Sequence, residues 1–277
     1  MRSLDLYEQH NKVIHSLYSS RLKIQILLTL LEGNANLSKL REVTRSTSQA
    51  IIPKIRELES QALIESIDYE YRLTPIGRSV CESIDNFIRL MAGIDQHQAF
   101  FSSHDLSAIP HDFVSRIGDL HTAEVKYDTT TDMFFVYSHY LEILKDARYI
   151  HGISSVASPG LAAFLAEKVT AGIPVELIVT ASVVDLLKKE PYVSNIKELL
   201  NFSNFTIWVT ELELRFGLTV TDKYLSLGLY KIETNQYDSS IDLFSGDSEA
   251  IGWGEDLFRY YQKNSRSLPL EALLRVT

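Results

Sequence analysis

The sequence predicts a chain of mixed α+β and α/β class: an N-terminal winged helix-turn-helix, then an α/β domain with a mixed sheet flanked by helices. Three observations predict it. Helical apolar stripes occupy residues 24–58 and give way to a period-two stretch at 67–73. From residue 113, strand-like and helix-like segments alternate, the pattern of a buried sheet with covering helices. Charge divides the chain at the same place. The first hundred residues hold 12 Lys+Arg and 12 Asp+Glu, so the whole net charge of −9 lies beyond them. A length of 277 residues is enough for two domains, since a domain takes ~100–200 residues.

Ile24, Leu27, Leu28 and Leu31 fall at i, i+3, i+4, i+7 and mark a helix that stops at Gly33. Asn36 offers an N-cap to a short second helix with Leu37, Leu40 and Val43 on one side. Ser46-Thr47-Ser48-Gln49 has the form of a capping box opening a third helix, in which Ile51, Ile55 and Leu58 point one way. Gln49, Pro53 and Arg56 then lie opposite, with Ile52 beside them. Thr44–Ser46 is a three-residue linker, the length of a helix-turn-helix turn. Ile67, Tyr69, Tyr71 and Leu73 alternate as a hairpin with its tip at 68–70. Thr74 and Pro75 restart a helix as N-cap and first residue, striped by Ile76, Val80, Ile84, Phe87, Ile88 and Met91. Pro53 removes one helical hydrogen bond and predicts a kink or a tight first half.

Helical periodicity fades over 92–112, where Pro110 sits in a Ser-containing stretch. The expected organisation is a winged domain with its long helix over 1–96, a connector over 97–112 and an α/β domain over 113–277. His97, His104 and His111 recur every seven residues, but without carboxylates at zinc-ligand spacing they read as solvated or capping histidines. In the last part, strands are expected at 123–127, 148–154, 174–180, 204–210, 214–222 and 224–231. Helices are expected at 132–147, 160–172, across 182–200 and at 248–263.

This arrangement suits DNA. A recognition helix presents polar side chains near its N-terminus to base edges while basic residues around it hold phosphates. Residues 36–56 carry a net +4, from Lys39, Arg41, Arg45, Lys54 and Arg56 against Glu42. Gln49 suits adenine and Arg56 suits guanine or a phosphate. Ser46, Thr47 and Ser48 lie at the helix start, Lys39, Arg41 and Arg45 are placed for phosphates, and Arg72 for the wing. The candidate DNA-binding set is completed by Ile52, Pro53 and Lys54. The rival from the residues alone is a winged helix that serves as a protein-interaction module. For a small effector the expected place is the mouth of the α/β sheet, with Ser154, Ser155, Thr180 and Trp208 as candidates. No metal or cofactor is expected.

The stretches SQAIIPKIRELESQALIE (48–65) and YRLTPIGRSV (71–80) resemble archaeal winged-helix regulators related to the ArsR type, and within them the methanogenesis-regulatory subfamily. HDLSAIP (104–110), TDKYLSLGLY (221–230) and YDSSIDLFSGDSEAIGWGEDLFRYY (237–261) extend the resemblance over nearly the whole chain. It implies a transcription regulator of methanogens that binds double-stranded DNA and senses a small ligand through its C-terminal domain; together with the length of the 74–91 stripe it implies a homodimer joined through that helix or the C-terminal domain. It also implies that Pro53 belongs to the recognition helix by design.

Cys81 is the sole cysteine, so the thiolate metal sensing of some ArsR relatives is not expected, and a reducing cytoplasm is. No apolar run approaches the ~20 residues of a membrane span, and the polar first residues do not read as a signal peptide. The order of the C-terminal elements resembles the phospholipase D-like fold. Its hydrolases require His-x-Lys-x4-Asp, yet the one histidine with Lys two residues on is His10, followed by Leu17 where Asp is needed. An enzyme is therefore not expected.

Overall fold

The computed structural model describes residues 2–274. The chain divides into two compact units, Met1–Ile88 and Arg89–Thr277.

The first unit contains α1 (Ser3–Tyr18), α2 (Arg21–Glu32), β1 (Ala35–Asn36), α3 (Leu37–Thr44), α4 (Ser48–Ser60), β2 (Ile64–Ile67), β3 (Glu70–Leu73) and the start of α5 (Pro75–Ser103). Its sheet runs β1-β3-β2, with Ala35 opposite Tyr71 and Ile64 opposite Leu73. This is a winged helix-turn-helix. The buried face of α2 is Lys23, Ile26, Leu27 and Leu30, one residue off the expected stripe, so Ile24, Leu28 and Leu31 are only half-buried. Ile51, Ile55 and Leu58 of α4 close the core as expected, with Leu40, Ile64, Cys81 and Ile84. Each such aliphatic side chain contributes ~1.5–3 kcal/mol by leaving water. Val43 and Ile67 stay exposed, because α3 turns Leu40 and Thr44 inward and the wing turns beyond Ile67. Thr74 ties the entry of α5: its hydroxyl accepts from Gly77 N–H at 2.9 Å and donates to the Ala62 carbonyl at 2.6 Å. Helix α1 escaped the stripe pattern because Leu4, Tyr7, Val13 and Ile14 are exposed in this unit.

The second unit holds the rest of α5, β4 (His104–Asp105), α6 (His111–Val114), a 3-10 turn (Ile117–Leu120), β5 (Glu124–Tyr127), α7 (Phe135–Leu144), β6 (Ile150–Ser154), α8 (Pro159–Thr170), β7 (Val175–Thr180), α9 (Ala181–Leu187) and α10 (Tyr192–Leu199). After them come β8 (Phe205–Thr210), β9 (Phe216–Val220), β10 (Leu225–Lys231), β11 (Ile241–Ser245), α11 (Ser248–Lys263) and β12 (Ser265–Leu268). The sheet runs β12-β8-β7-β6-β9-β10-β11-β5, and β4 pairs with β10. It is mixed: β6, β7 and β8 are parallel and the other pairs antiparallel. One face packs Ile153, Ile178, Leu218, Leu227 and Leu243 against Trp253, Leu257, Phe258 and Tyr261 of α11. The opposite face of β6–β8 packs Ile150, Val175, Val179, Ile207 and Val209 against α7–α10.

The expected connector at 97–112 is corrected. Helix α5 is non-helical only at His97 (φ −113°, ψ 19°) and resumes to Ser103, after which β4 joins the sheet at once. The break at His97 is what dimmed the periodicity. The expected winged domain of 1–96 likewise runs past the unit boundary at Ile88. His97 and His104 are buried rather than solvated: the His104 ring contacts the Phe100 carbonyl through Nδ1 (2.8 Å) and Asp238 through Nε2 (3.3 Å). Two strands lacked a sequence signal. In β11 the buried Asp242 interrupts the apolar run, and β12 is a polar edge strand defined by its pairing with β8.

Candidate nucleic-acid interface

The turn between α3 and α4 is built by backbone geometry. Thr44 ends α3, with its hydroxyl returned to the Leu40 carbonyl at 2.7 Å. Arg45 then adopts the left-handed conformation (φ 50°, ψ 42°) and its N–H caps the carbonyls of Arg41 and Glu42. The N-cap of α4 is Thr47, whose Oγ1 accepts from Ala50 N–H at 3.4 Å. The expected capping box at Ser46 is thus corrected by one residue, because the left-handed Arg45 lengthens the exit from α3. Ser46 is half-buried and donates to the Thr44 carbonyl at 3.4 Å, and Gln49 is released from any capping duty.

Gln49, Pro53 and Arg56 are exposed along the outer side of α4, with Ile52 and Ser48 half-buried beside them. The helix continues through Pro53. The missing N–H leaves the Gln49 carbonyl, four residues earlier, without its helical donor on this exposed side. Arg41, Arg45 and Arg56 are exposed and make no ion pair among the described residues. The remaining expected cations are engaged. Lys39 faces Glu42 at 3.6 Å, Lys54 meets Glu57 at 2.8 Å, and Arg72 meets Glu65 across the wing at 2.8 Å. These partly exposed pairs are weak and exchangeable.

Two residues were given no site role by the sequence reading. Lys23 is buried to 1% exposure, and its ammonium meets the Ser16 carbonyl (3.1 Å), the Ser16 hydroxyl (2.8 Å) and Glu57 (2.7 Å). It ties α1 and α2 to α4 and so fixes the outward face of that helix. Its hydrogen bonds, with those of Lys54, hold the Glu57 carboxyl down to about 2. The signal was present: Lys23 stands at i, i+3, i+4, i+7 with Ile26, Leu27 and Leu30. Tyr69 is the other. Asp68 and Tyr69 both have positive φ (50° and 66°) in a two-residue turn, and Tyr69 is 95% exposed at the wing tip. A bulky residue held left-handed there is costly, which marks the tip as a place where side-chain identity matters.

The expected effector residues do not converge. Ser154 closes a turn with Val156, Thr180 caps α9, and Trp208 donates to Glu176 at 2.9 Å on the α11 side of the sheet. Ser155 alone reaches the other half of the sheet, meeting the Tyr230 hydroxyl at 2.9 Å.

Residues 11–92 match the N-terminal domain of Methanogenesis regulatory protein FilR1, and residues 133–264 match its middle domain. A protein of that name from Methanothrix harundinacea (strain 6Ac) is 26% identical over 261 residues, covering 93% of this chain. The chain spans 58% of the length of that relative. Among solved structures, TrmBL2, described as an archaeal chromatin protein with a novel mode of DNA binding, overlays with a TM-score of 0.41 at 11% identity, over 94% of this chain and 99% of TrmBL2. Phosphatidylserine synthase of Haemophilus influenzae Rd KW20 gives 0.39 at 11% identity, over 56% of this chain and 41% of the synthase. These overlays are too loose to carry an argument. The two domain matches, in order and covering most of the chain, place it in the Methanogenesis regulatory protein FilR1 family.

Proposed function

We propose that the chain is a sequence-specific, DNA-binding transcription regulator of the cytoplasm. The observation that carries this is the outer face of α4: Gln49, Pro53 and Arg56 exposed, with Arg41 and Arg45 making no ion pair among the described residues, and the helix tied from behind by the buried Lys23 to Glu57. A face of that composition reads base edges through Gln49 and Arg56 and holds phosphates through Arg41, Arg45 and Lys39. Thr47 and Ser48 stand at the helix start, whereas Ser46, Lys54 and Arg72 are held by internal partners and contribute less. Among the described residues no helix is long and apolar enough to cross a membrane. The family and the missing His-x-Lys-x4-Asp motif favour a regulator over an enzyme; in this reading the winged part is related to the ArsR type and the C-terminal domain is phospholipase D-like.

The test is a gel shift on DNA upstream of the protein's own gene. Gln49→Ala and Arg56→Ala should each weaken binding there and leave random DNA unaffected. Equal, weak binding of wild type and variants to every sequence would replace this reading with that of an interaction module.

The regulator is a homodimer in this proposal. Leu4, Tyr7, Asn11, Ile14 and Tyr18 follow heptad spacing on α1, and all but Asn11 are large, exposed apolar side chains. Phe87, edge-on to Tyr18 at 6.0 Å, and Ile88 extend the patch within the same unit. Sedimentation should give a dimer at micromolar concentration and a monomer for Tyr7→Lys. An effector bound by the α/β unit would act by favouring one arrangement of the dimer.

A further inference from the structure

The sheet face that packs on α7–α10 changes character halfway across. Over β6–β8 it is aliphatic. Over β9–β11 it presents Gly217, Thr219, Ser226, Gly228 and Asp242, while Leu218, Leu227 and Leu243 turn to α11. Asp242 is 6% exposed; its Oδ2 accepts from the Ser226 hydroxyl at 2.7 Å and its Oδ1 from Leu243 N–H at 2.9 Å. No cation among the described residues forms an ion pair with it. Lys126, its partner across the β11–β5 ladder, is committed to Glu124. Burial accordingly pushes the Asp242 carboxyl up to about 7.

Two tyrosines, Tyr140 and Tyr237, lie near this carboxyl. Tyr140 of α7 reaches over the strands to Thr219, hydroxyl to hydroxyl at 2.8 Å. Gly217 and Gly228 face each other in the β9–β10 ladder and make a bare floor. The Tyr237 phenol lies on that floor: a Cβ at Gly228 would stand 2.0 Å from its oxygen, and one at Gly217 3.0 Å. Burial, and next the negative charge of Asp242, push the Tyr237 phenol well up. Tyr230 meets Tyr237 edge-on at 5.7 Å. Tyr237 follows an exposed turn, residues 232–236.

We propose that this polar half of the sheet face is the effector site and that it takes a small organic ammonium ion, with Asp242 as counter-charge and Tyr140 and Tyr237 as aromatic walls. A buried carboxylate that lacks a cation is costly, and a ligand carrying one offsets that cost. Tyrosine faces attract the same charge. Binding displaces the Tyr237 phenol from the glycine floor. The inference rests on the effector part of the proposed function, and its test is a binding measurement separate from DNA.

Calorimetry on the full chain with choline and tetramethylammonium, beside the neutral choline isostere 3,3-dimethylbutanol, reads the site directly. Both ammonium probes should bind and the isostere should not. Asp242→Asn, which keeps shape and removes charge, should weaken them about tenfold or more, the scale of one charged contact. Gly228→Ala, which fills the floor, should weaken them as well. Binding of the isostere equal to choline, undiminished binding to Asp242→Asn, or no binding at millimolar probe to wild type and Tyr237→Ala alike overturns the proposal. Gel shifts with and without choline separate the two readings. Binding that leaves DNA affinity unchanged keeps the site and removes its effector role, whereas intact DNA binding with no ammonium bound removes the site alone.

Discussion

The two units handle polar groups in opposite ways. In the winged-helix unit the described core is apolar except for Lys23 and Thr44, and the charged residues lie on the outside. In the α/β unit His97, His104, Thr219, Ser226, Asp238 and Asp242 are all buried. The first unit therefore carries its charged groups on the surface, and the second also buries polar groups in its interior. Net charge follows the same division. The acidic excess lies after residue 100, which opposes indiscriminate contact with phosphates while the +4 stretch at 36–56 faces outward.

The strongest way to break the comparison is to damage each core separately. Trp253 is fully buried in the α/β unit and donates to the Phe113 carbonyl at 3.0 Å. Trp253→Ala should cost ~3–5 kcal/mol, lowering the melt of that unit while leaving the other. Gly77→Ala does the converse, since its Cβ would lie 1.7 Å from the Leu63 carbonyl oxygen, backbone that must move. Overpacking of this kind costs ~1–3 kcal/mol or more, and circular dichroism melts should show it. A single shared transition in both variants would show that the units do not unfold separately.

Surface chemistry comes next. Arg56→Ala and Gln49→Ala should each cost ~1–3 kcal/mol of specific DNA affinity, and Lys39→Ala should lower the salt slope by about 1 with little loss of specificity. Non-specific affinity should be modest and salt-sensitive; tight binding to random DNA at physiological salt would contradict the charge argument.

Titration sharpens the contrast because the two units respond with opposite sign. Glu57 is held down to about 2 by Lys23 and Lys54, so its contribution is present above its ordinary 4.5 and is lost as pH falls through about 2. Asp242 is raised from 3.8 to about 7, so the folded unit keeps a proton that the unfolded chain has released, and stability falls as pH rises from 3.8 to 7. Denaturation followed by fluorescence reads the second effect, since both tryptophans, Trp208 and Trp253, belong to the α/β unit. Asp242→Asn should flatten that slope, and Glu57→Gln should flatten the acid limb of the winged unit. The smallest effect lies in α11, where Gly252 has open space around its Cβ position, while Gly254 abuts Leu225 and Val220 at 2.5 and 2.7 Å. Gly252→Ala should stabilise by up to ~1 kcal/mol, and Gly254→Ala should destabilise.

Local pattern alone determined much of this protein. The stripe Ile51, Ile55, Leu58 set the inward face of α4 and with it the outward Gln49, Pro53 and Arg56, because a helix has one period. Thr74-Pro75 located the start of α5 for the same local reason. What depended on distant chain was decided only by the tertiary structure. Lys23 shares the inward stripe of α2 in sequence, but its partners Ser16 and Glu57 are set only by the fold. Leu4, Tyr7, Val13 and Ile14 of α1 remain outside the core of their unit, while Leu17 enters it. The Ser46 cap moved to Thr47 through the left-handed turn at Arg45. Strand β12 exists through its ladder to β8, and no run of its own residues could announce it. Asp242 is the sharpest case: in sequence it is one acidic residue among 36, and only the assembled sheet buries it with Ser226 as its partner. Periodicity reports which side of an element is apolar, but what a buried polar group meets is settled by residues brought from elsewhere in the chain.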